Sequence, residues 1–332
     1  MTSGAWNRPI LQSIVPIIGD SRHVTTHLAA ISSVAGWMAY EEFIFPKGAS
    51  AGPFDLGSSP TEIIDAVMFA SVLNFAFTDF KSGVKYAVDY DGRSWSDTEG
   101  MFIRIHQATE SGLDLLDGSV LSAITRDDLS RIFSGNIELP LLEHRSQILN
   151  EVGETLLSRY GGKFHRFIAD CAPFMYHGGD GLLERLVTEF PRFNDVASYR
   201  GHQVQIHKLA QLSLWSLHMA LHESGDWTLQ DLSDMTAFAD YIVPVALRLM
   251  GIIEYSPDLE ARINEGQLID RGSDEEIEIR AHTLYATALL TDRINELRPA
   301  DRQLVIPQVD YRLWKSYHAT TWPHHLTKTI MY

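Results

Sequence analysis

Residues 273–290 read SDEEIEIRAHTLYATALL, and this stretch decides the fold class. Ser273 with Glu276 three positions on forms a capping box, and Asp274, Glu275 and Glu276 put negative charge at the positive end of a helix dipole. Behind them Ile277, Ala281, Leu284, Tyr285, Ala288 and Leu289 recur at the spacing of an α-helix. The same pattern repeats on the N-terminal side. Ser59-Pro60-Thr61-Glu62 is a second capping box, with proline at the first helical position, ahead of Ile63, Ile64, Val67 and Met68. Leu141, Leu142, Ile148, Leu149, Val152, Leu156 and Tyr160 make one stripe over residues 140–160, and Gly161 can stop it. Residues 206–223 are apolar nearly all round, the mark of a buried helix. Ser256-Pro257 opens a further helix that Gly266 can end. Strand signals are few. The best is Lys85–Tyr90 and Arg93–Ser96 around Asp91-Gly92, a type I′ turn. The expected fold is therefore mainly α: one large helical domain, open to division into two lobes, with one small β-hairpin. Residues 1–60 read as an N-terminal extension of helix and loop packed on a helical domain over 61–332, with the loop Pro46–Pro60 as a hinge.

Composition bounds the function. The chain has 332 residues, of which 45% are hydrophobic and 21% charged, so it is globular rather than disordered or fibrous. A net charge of −16 argues against a general DNA or RNA binder, which needs a basic footprint, but leaves room for a pocket holding one phosphate. Cys171 is the single cysteine, so no intramolecular disulfide forms, which fits a reducing cytoplasm. No apolar run approaches the roughly 20 residues of a membrane span. Pro9, Pro16 and Asp20 interrupt the N-terminal apolar patches and no basic segment precedes them, so no signal peptide is expected.

Metal and nucleophile motifs are weak. His218 and His222 share a helix face at a spacing that suits zinc, but no Glu follows His218 as in HExxH, and no third ligand stands out. GxGxxG and GxxxxGK[ST] are absent from the sequence. Cys171 reads as a packed thiol. Acids in apolar surroundings are the better signal. Asp240 is the only charge from Met235 to Leu247. It reads equally as the cap of a helix starting near Tyr241 and as a pocket carboxylate. Pro307 opens a helix that puts Asp310, Leu313, Trp314 and Tyr317 on one stripe, where a carboxylate is costly to bury unless it is paired or used. Asn74 is an amide among Phe69, Phe75 and Phe77, suited to orienting a flat heterocycle or to an ordinary helix C-cap. Lys208 lies in the apolar helix and either meets an anion or snorkels to the surface. This set of acids, a lysine, an amide and aromatics fits a base or nucleoside, and alone names no reaction.

Nine segments together resemble the queuosine salvage family: LNFAF (73–77), PLLEHRSQILNEVGETL (140–156), GGKF (161–164), FPRFNDV (190–196), HKLAQL (207–212), TAFADYIVP (236–244), EEIEIRAHTLYATALL (275–290), VDYRLW (309–314) and WPHHLTKTIMY (322–332). Members of that family hydrolyse queuosine 5′-phosphate to free queuine. The resemblance implies a mainly helical fold related to helical DNA glycosylases and a pocket for a 7-deazaguanine base, ribose and 5′-phosphate. It implies Phe238 and Asp240 on the base, and Asp310 and Tyr311 beside the sugar or base. Asp310 and Asp240 are thus the expected catalytic acids, with Glu278 and Asp79 next in line. Tyr241, Asn74, Phe75, Lys208 and Trp314 complete the expected substrate site, with Lys208 or Lys328 toward the phosphate. The sequence departs from the family at His207 and Leu209 beside Lys208, and at Lys315, where several relatives carry an acid. No metal or organic cofactor is expected. The expected partner is a small-molecule substrate, with no stable nucleic-acid partner and no membrane, and the chain is expected to be a cytoplasmic monomer. The alternatives are a helical interaction protein and another nucleoside or base glycosylase.

Overall fold

The structure, a computed structural model, describes residues 4–45, 48, 50–51, 54–318 and 320–332. The capping signals act as read. The Ser273 hydroxyl accepts from the Glu276 N–H at 3.2 Å, and the helix runs Asp274–Leu297. Ser59 accepts from the Glu62 N–H at 3.4 Å ahead of the helix Pro60–Leu73. The Glu62 carboxylate bonds the Ser58 N–H and hydroxyl, so that box closes one residue further back than its pattern implies. The 140–160 stripe forms the helix Leu142–Tyr160, which ends on Gly161 in the left-handed conformation, φ 56°. The apolar 206–223 stretch forms Lys208–Leu221, and Ser256 caps Pro257–Asn264.

The expected hairpin pairs Ala87–Tyr90 with Arg93–Ser96, and Asp91 and Gly92 take the positive φ values, 48° and 71°, that a type I′ turn needs. Its first strand begins later than expected because Lys85 bridges Thr78 and the Tyr86 N–H bonds the Phe77 carbonyl. Among the described residues, three further short antiparallel pairs form separate two-stranded sheets. Val24–Thr26 pairs with Ile253–Tyr255, Ser50–Ala51 with Phe54–Asp55, and Val196–Tyr199 with His202–Gln205. Part of the expected Pro46–Pro60 hinge, Pro46 included, lies outside the described residues. No helix of the described residues is long and apolar enough to cross a membrane.

The chain divides into two compact units. The first comprises Met1–Pro46, Asp195–Gln211 and Asp231–Lys328; the second comprises Lys47–Asn194, Leu212–Gln230 and Thr329–Tyr332. In the first, the Asp274–Leu297 helix lies at the centre of the core. Its Ile279, Ala286, Leu290 and Ile294 cluster with Ile31, Val34 and Met38 of the helix Leu28–Met38 and with Val243, Leu247, Val309 and Leu313. Glu278, fully buried on that helix, is structural. Its carboxylate accepts from the Arg22, His23 and Val24 N–H groups and from the Tyr199 hydroxyl, the last at 2.8 Å. This removes it from the reserve of catalytic acids.

In the second unit, Phe167 and Phe190 meet edge to face at 5.2 Å, with Tyr160 and Phe164 around them. Arg145 ties the chain after the Pro60–Leu73 helix. It donates to the carbonyls of Pro140 at 2.9 Å, Leu73 at 2.6 Å and Ala76 at 3.0 Å, and also to that of Phe75. Its guanidinium lies 4.0 Å from the centre of the Phe75 ring, and that of Arg192 lies 4.5 Å from it. Burial, with the Arg192 charge beside it, lowers the Arg145 pKa to about 9. Arg145→Met keeps much of the volume and strands four carbonyls. The loss should be about 3–5 kcal/mol in urea unfolding; a loss below about 1 kcal/mol would rule out the clip as the anchor of this loop.

Candidate active site

The first unit brings Asp310 and Asp240 together. Asp310 sits on the helix Ile306–Tyr317, which Pro307 opens as expected, and is only 3% exposed. Its Oδ1 accepts from the Phe238 N–H at 2.9 Å. Asp240 lies two residues beyond Phe238, just before the helix Val243–Leu249. Its Oδ1 accepts from the N–H groups of Ile242 at 2.8 Å and Val243 at 3.3 Å. Asp240 is therefore not the helix cap, which is Ile242; its carboxylate closes the turn that leads into the helix. That helix starts later than Tyr241, and Pro244 falls in its first turn, where no N–H is needed. Among the described residues, the hydrogen bonds to both carboxylates fall on Oδ1.

Burial raises the Asp310 pKa well above the usual carboxylate range, and the Asp240 charge raises it further; the Phe238 N–H and the Lys208 charge pull the other way. Lys208, at the start of the helix Lys208–Leu221, is 5% exposed, so it is buried rather than snorkelling. Lys328 is exposed.

The neighbouring aromatics divide. Phe238 is buried, and the half-buried Tyr241 stacks on His324 at 4.6 Å. Tyr311 meets Phe45 at 5.8 Å and Trp314 at 6.1 Å, and Trp314 stacks on His318 at 4.7 Å. Of the expected stripe, Leu313 is in the core, and Trp314 and Tyr317 pack against it while remaining partly accessible. Asn74 and Phe75 stand in the second unit. Asn74 ends the Pro60–Leu73 helix and accepts from the Thr98 hydroxyl at 3.2 Å, the ordinary cap its position allowed.

Other candidates have structural explanations. Asp79 organises an exposed turn through the Lys81 and Ser82 N–H groups and the Ser82 hydroxyl. Burial pushes the Cys171 thiol up to about 12, the wrong direction for a nucleophile. His218 and His222 stack at 4.6 Å, and His218 Nδ1 accepts from the Leu229 N–H at 3.2 Å. Burial, with His222 beside it, lowers the His218 pKa to about 4. Among the described residues, no group of three His, Cys, Asp or Glu side chains forms around them or elsewhere.

Sequence reading passed over one buried ionic cluster. Arg280 donates from Nη1 to Asp195 Oδ1 at 3.1 Å and from Nη2 to Asp195 Oδ2 at 2.5 Å. Its Nε donates to the Ala239 carbonyl at 3.1 Å, and Nη1 reaches Glu276 at 3.4 Å. Burial works against the Asp195 carboxylate, but the Arg280 charge and hydrogen bonds outweigh it and hold Asp195 below the usual range. The available signal was an arginine four residues after Glu276, on the same face of the helix.

Comparison with known proteins shows the family. The family model described as queuosine salvage protein matches residues 55–332. A Sphaerobacter thermophilus protein named queuosine 5′-phosphate N-glycosylase/hydrolase is 36% identical over 273 residues, covering 80% of each chain. A Mus musculus protein of the same name is 28% identical over 294 residues, 86% of this chain and 82% of its own. One from Dictyostelium discoideum is 30% identical over 246 residues, 72% of this chain and 74% of its own.

Proposed function

The chain belongs to the queuosine salvage protein family, and from that membership we propose that it hydrolyses queuosine 5′-phosphate, releasing queuine and ribose 5-phosphate for salvage into tRNA. The observation that carries the site is the buried Asp240–Asp310 pair, with Lys208 acting on it.

Breaking the bond between C1′ and the base sends the electron pair to the base nitrogen and leaves positive charge on the ribose. A carboxylate beside C1′ stabilises that oxocarbenium-like state. Asp310 takes this role. Its raised proton affinity also suits a general base, which must accept a proton from the attacking water near neutral pH. The water oxygen bonds to C1′ and one water proton passes to Asp310; the base nitrogen takes up a proton from solvent and Asp310 returns its own to solvent, so one water is consumed overall. A 7-deaza base has no N7 to protonate, so the protein's contact at its other edge serves to orient it. Asp240, pinned by the Ile242 and Val243 N–H groups through Oδ1, offers its other oxygen to the donor edge of the base. Phe238 and Tyr241 supply flat apolar surface on the same loop.

In this reading the enzyme works as a cytoplasmic monomer on a small molecule. Its net charge of −16 supports the absence of a lasting nucleic-acid partner. Incubation with queuosine 5′-phosphate should release queuine, detected by mass spectrometry; an unchanged nucleotide would refute the activity. The buried Lys208 supports binding of the 5′-phosphate, a non-reacting handle whose binding energy orients the sugar. The nucleoside should therefore show kcat/KM at least about tenfold below that of its 5′-monophosphate. Equal values would remove Lys208 and its neighbours from phosphate recognition.

A further inference from the structure

We propose that Arg280 is a positioning residue that fixes the Asp240–Asp310 pair and the Lys208 backbone in one frame. The proposal rests on the reading of that pair as catalytic. Ala239 lies between the residue whose N–H binds Asp310 and the residue whose carboxylate faces it. Arg280 Nε holds the Ala239 carbonyl at 3.1 Å, so it fixes the peptide that leads into Asp240. The other edge of the same guanidinium holds both oxygens of Asp195. Asp195 in turn carries the approach to Lys208. Its backbone carbonyl accepts from the Ile206 N–H at 3.0 Å and the His207 N–H at 3.1 Å, and its Oδ2 from the Lys208 N–H at 3.5 Å. His207 is held at φ 48°, a left-handed conformation that a histidine keeps only where its surroundings impose it.

Stability alone does not call for this arrangement. A buried ion pair gives little net stability over a well-packed apolar substitute. A planar, rigid fork that binds a carboxylate and a carbonyl at once gives fixed geometry, which lysine cannot reproduce. Arg280 is 2% exposed and acts through Ala239 and Asp195.

The test uses Arg280→Lys in the full chain, with thermal melts, kcat and KM for queuosine 5′-phosphate, and a carbon-13 NMR titration of the Asp310 carboxyl. The folded variant should lose about 10²-fold in kcat, the scale set by a misplacement of about 1 Å, with a smaller change in KM. Slackening the loop separates the acids, so the Asp310 midpoint should fall, by about one pH unit. A folded variant with kcat within about threefold of wild type and an unmoved Asp310 midpoint overturns the proposal. If Arg280→Lys does not fold, Asp195→Asn keeps the shape and loosens the same fork. It should lower kcat and the Asp310 midpoint in the same direction, and an unchanged pair of values overturns the proposal. A wild-type protein that releases no queuine refutes the hydrolase reading instead, and the Asp310 midpoint still decides whether Arg280 positions the pair.

Discussion

Asp310→Asn is expected to lower kcat for queuosine 5′-phosphate by about 10²–10⁴-fold and to change KM little. The amide keeps an oxygen to accept the Phe238 N–H, so the shape of the site survives. In the proposed mechanism, what disappears is the charge that meets the oxocarbenium ion and the base that takes the proton from water, and both act in the transition state. The same variant should be more stable than wild type at neutral pH. Asp310 binds its proton more tightly folded than unfolded, because burial and the Asp240 charge both favour the neutral form. Between the ordinary carboxylate value and the raised folded value, the folded state therefore holds more protons, and wild-type stability falls as pH rises through that window. Asn at position 310 removes this slope. Melting curves against pH should show the variant above wild type at neutral pH, with the gap closing as pH falls toward the ordinary carboxylate range. A folded variant with near-normal kcat would move the catalytic role elsewhere.

Asp240→Asn should raise KM by about 10–100-fold, the worth of one charge-assisted hydrogen bond to the base, and lower kcat as well. Its oxygen still closes the turn before the Val243–Leu249 helix through the Ile242 and Val243 N–H groups. The loss therefore falls on the base contact and on the charge felt by Asp310. With that like charge gone, the acid limb of the pH–rate profile moves to lower pH. Steady-state kinetics across pH separates the two effects, and an unchanged KM would free Asp240 from base recognition.

The parts of this account legible in the sequence are those set by short-range physics. Ser273 and Ser59 announce their helices because a cap and its partner stand three residues apart. Asp91-Gly92 announces its hairpin because both residues tolerate positive φ. The turn of the Val196–Gln205 hairpin is Arg200-Gly201, with Arg200 at φ 46°, and an arginine gives no such signal. Asp240 and Asp310 stood out as lone charges in apolar surroundings, and the resemblance assigned them to one pocket. That they meet depends on a contact spanning 72 residues, Phe238 to Asp310, which no local period encodes. Arg280 and Asp195 are 85 residues apart, and their pairing was hidden for the same reason. Glu278 looked like a spare acid until the fold brought the 22–24 backbone and Tyr199 onto its carboxylate.

The pH dependence of kcat/KM, set beside the NMR titration of the Asp310 carboxyl in the same wild-type protein, tests the central claim most directly. This ratio reports ionisations of the free enzyme, once the substrate phosphate's own ionisation is allowed for. The account predicts that kcat/KM rises with pH through the Asp310 midpoint, that this midpoint lies above the ordinary carboxylate range, and that both move down together in Asp240→Asn. An Asp310 that titrates with ordinary carboxylates, or an activity profile that ignores its midpoint, would contradict it.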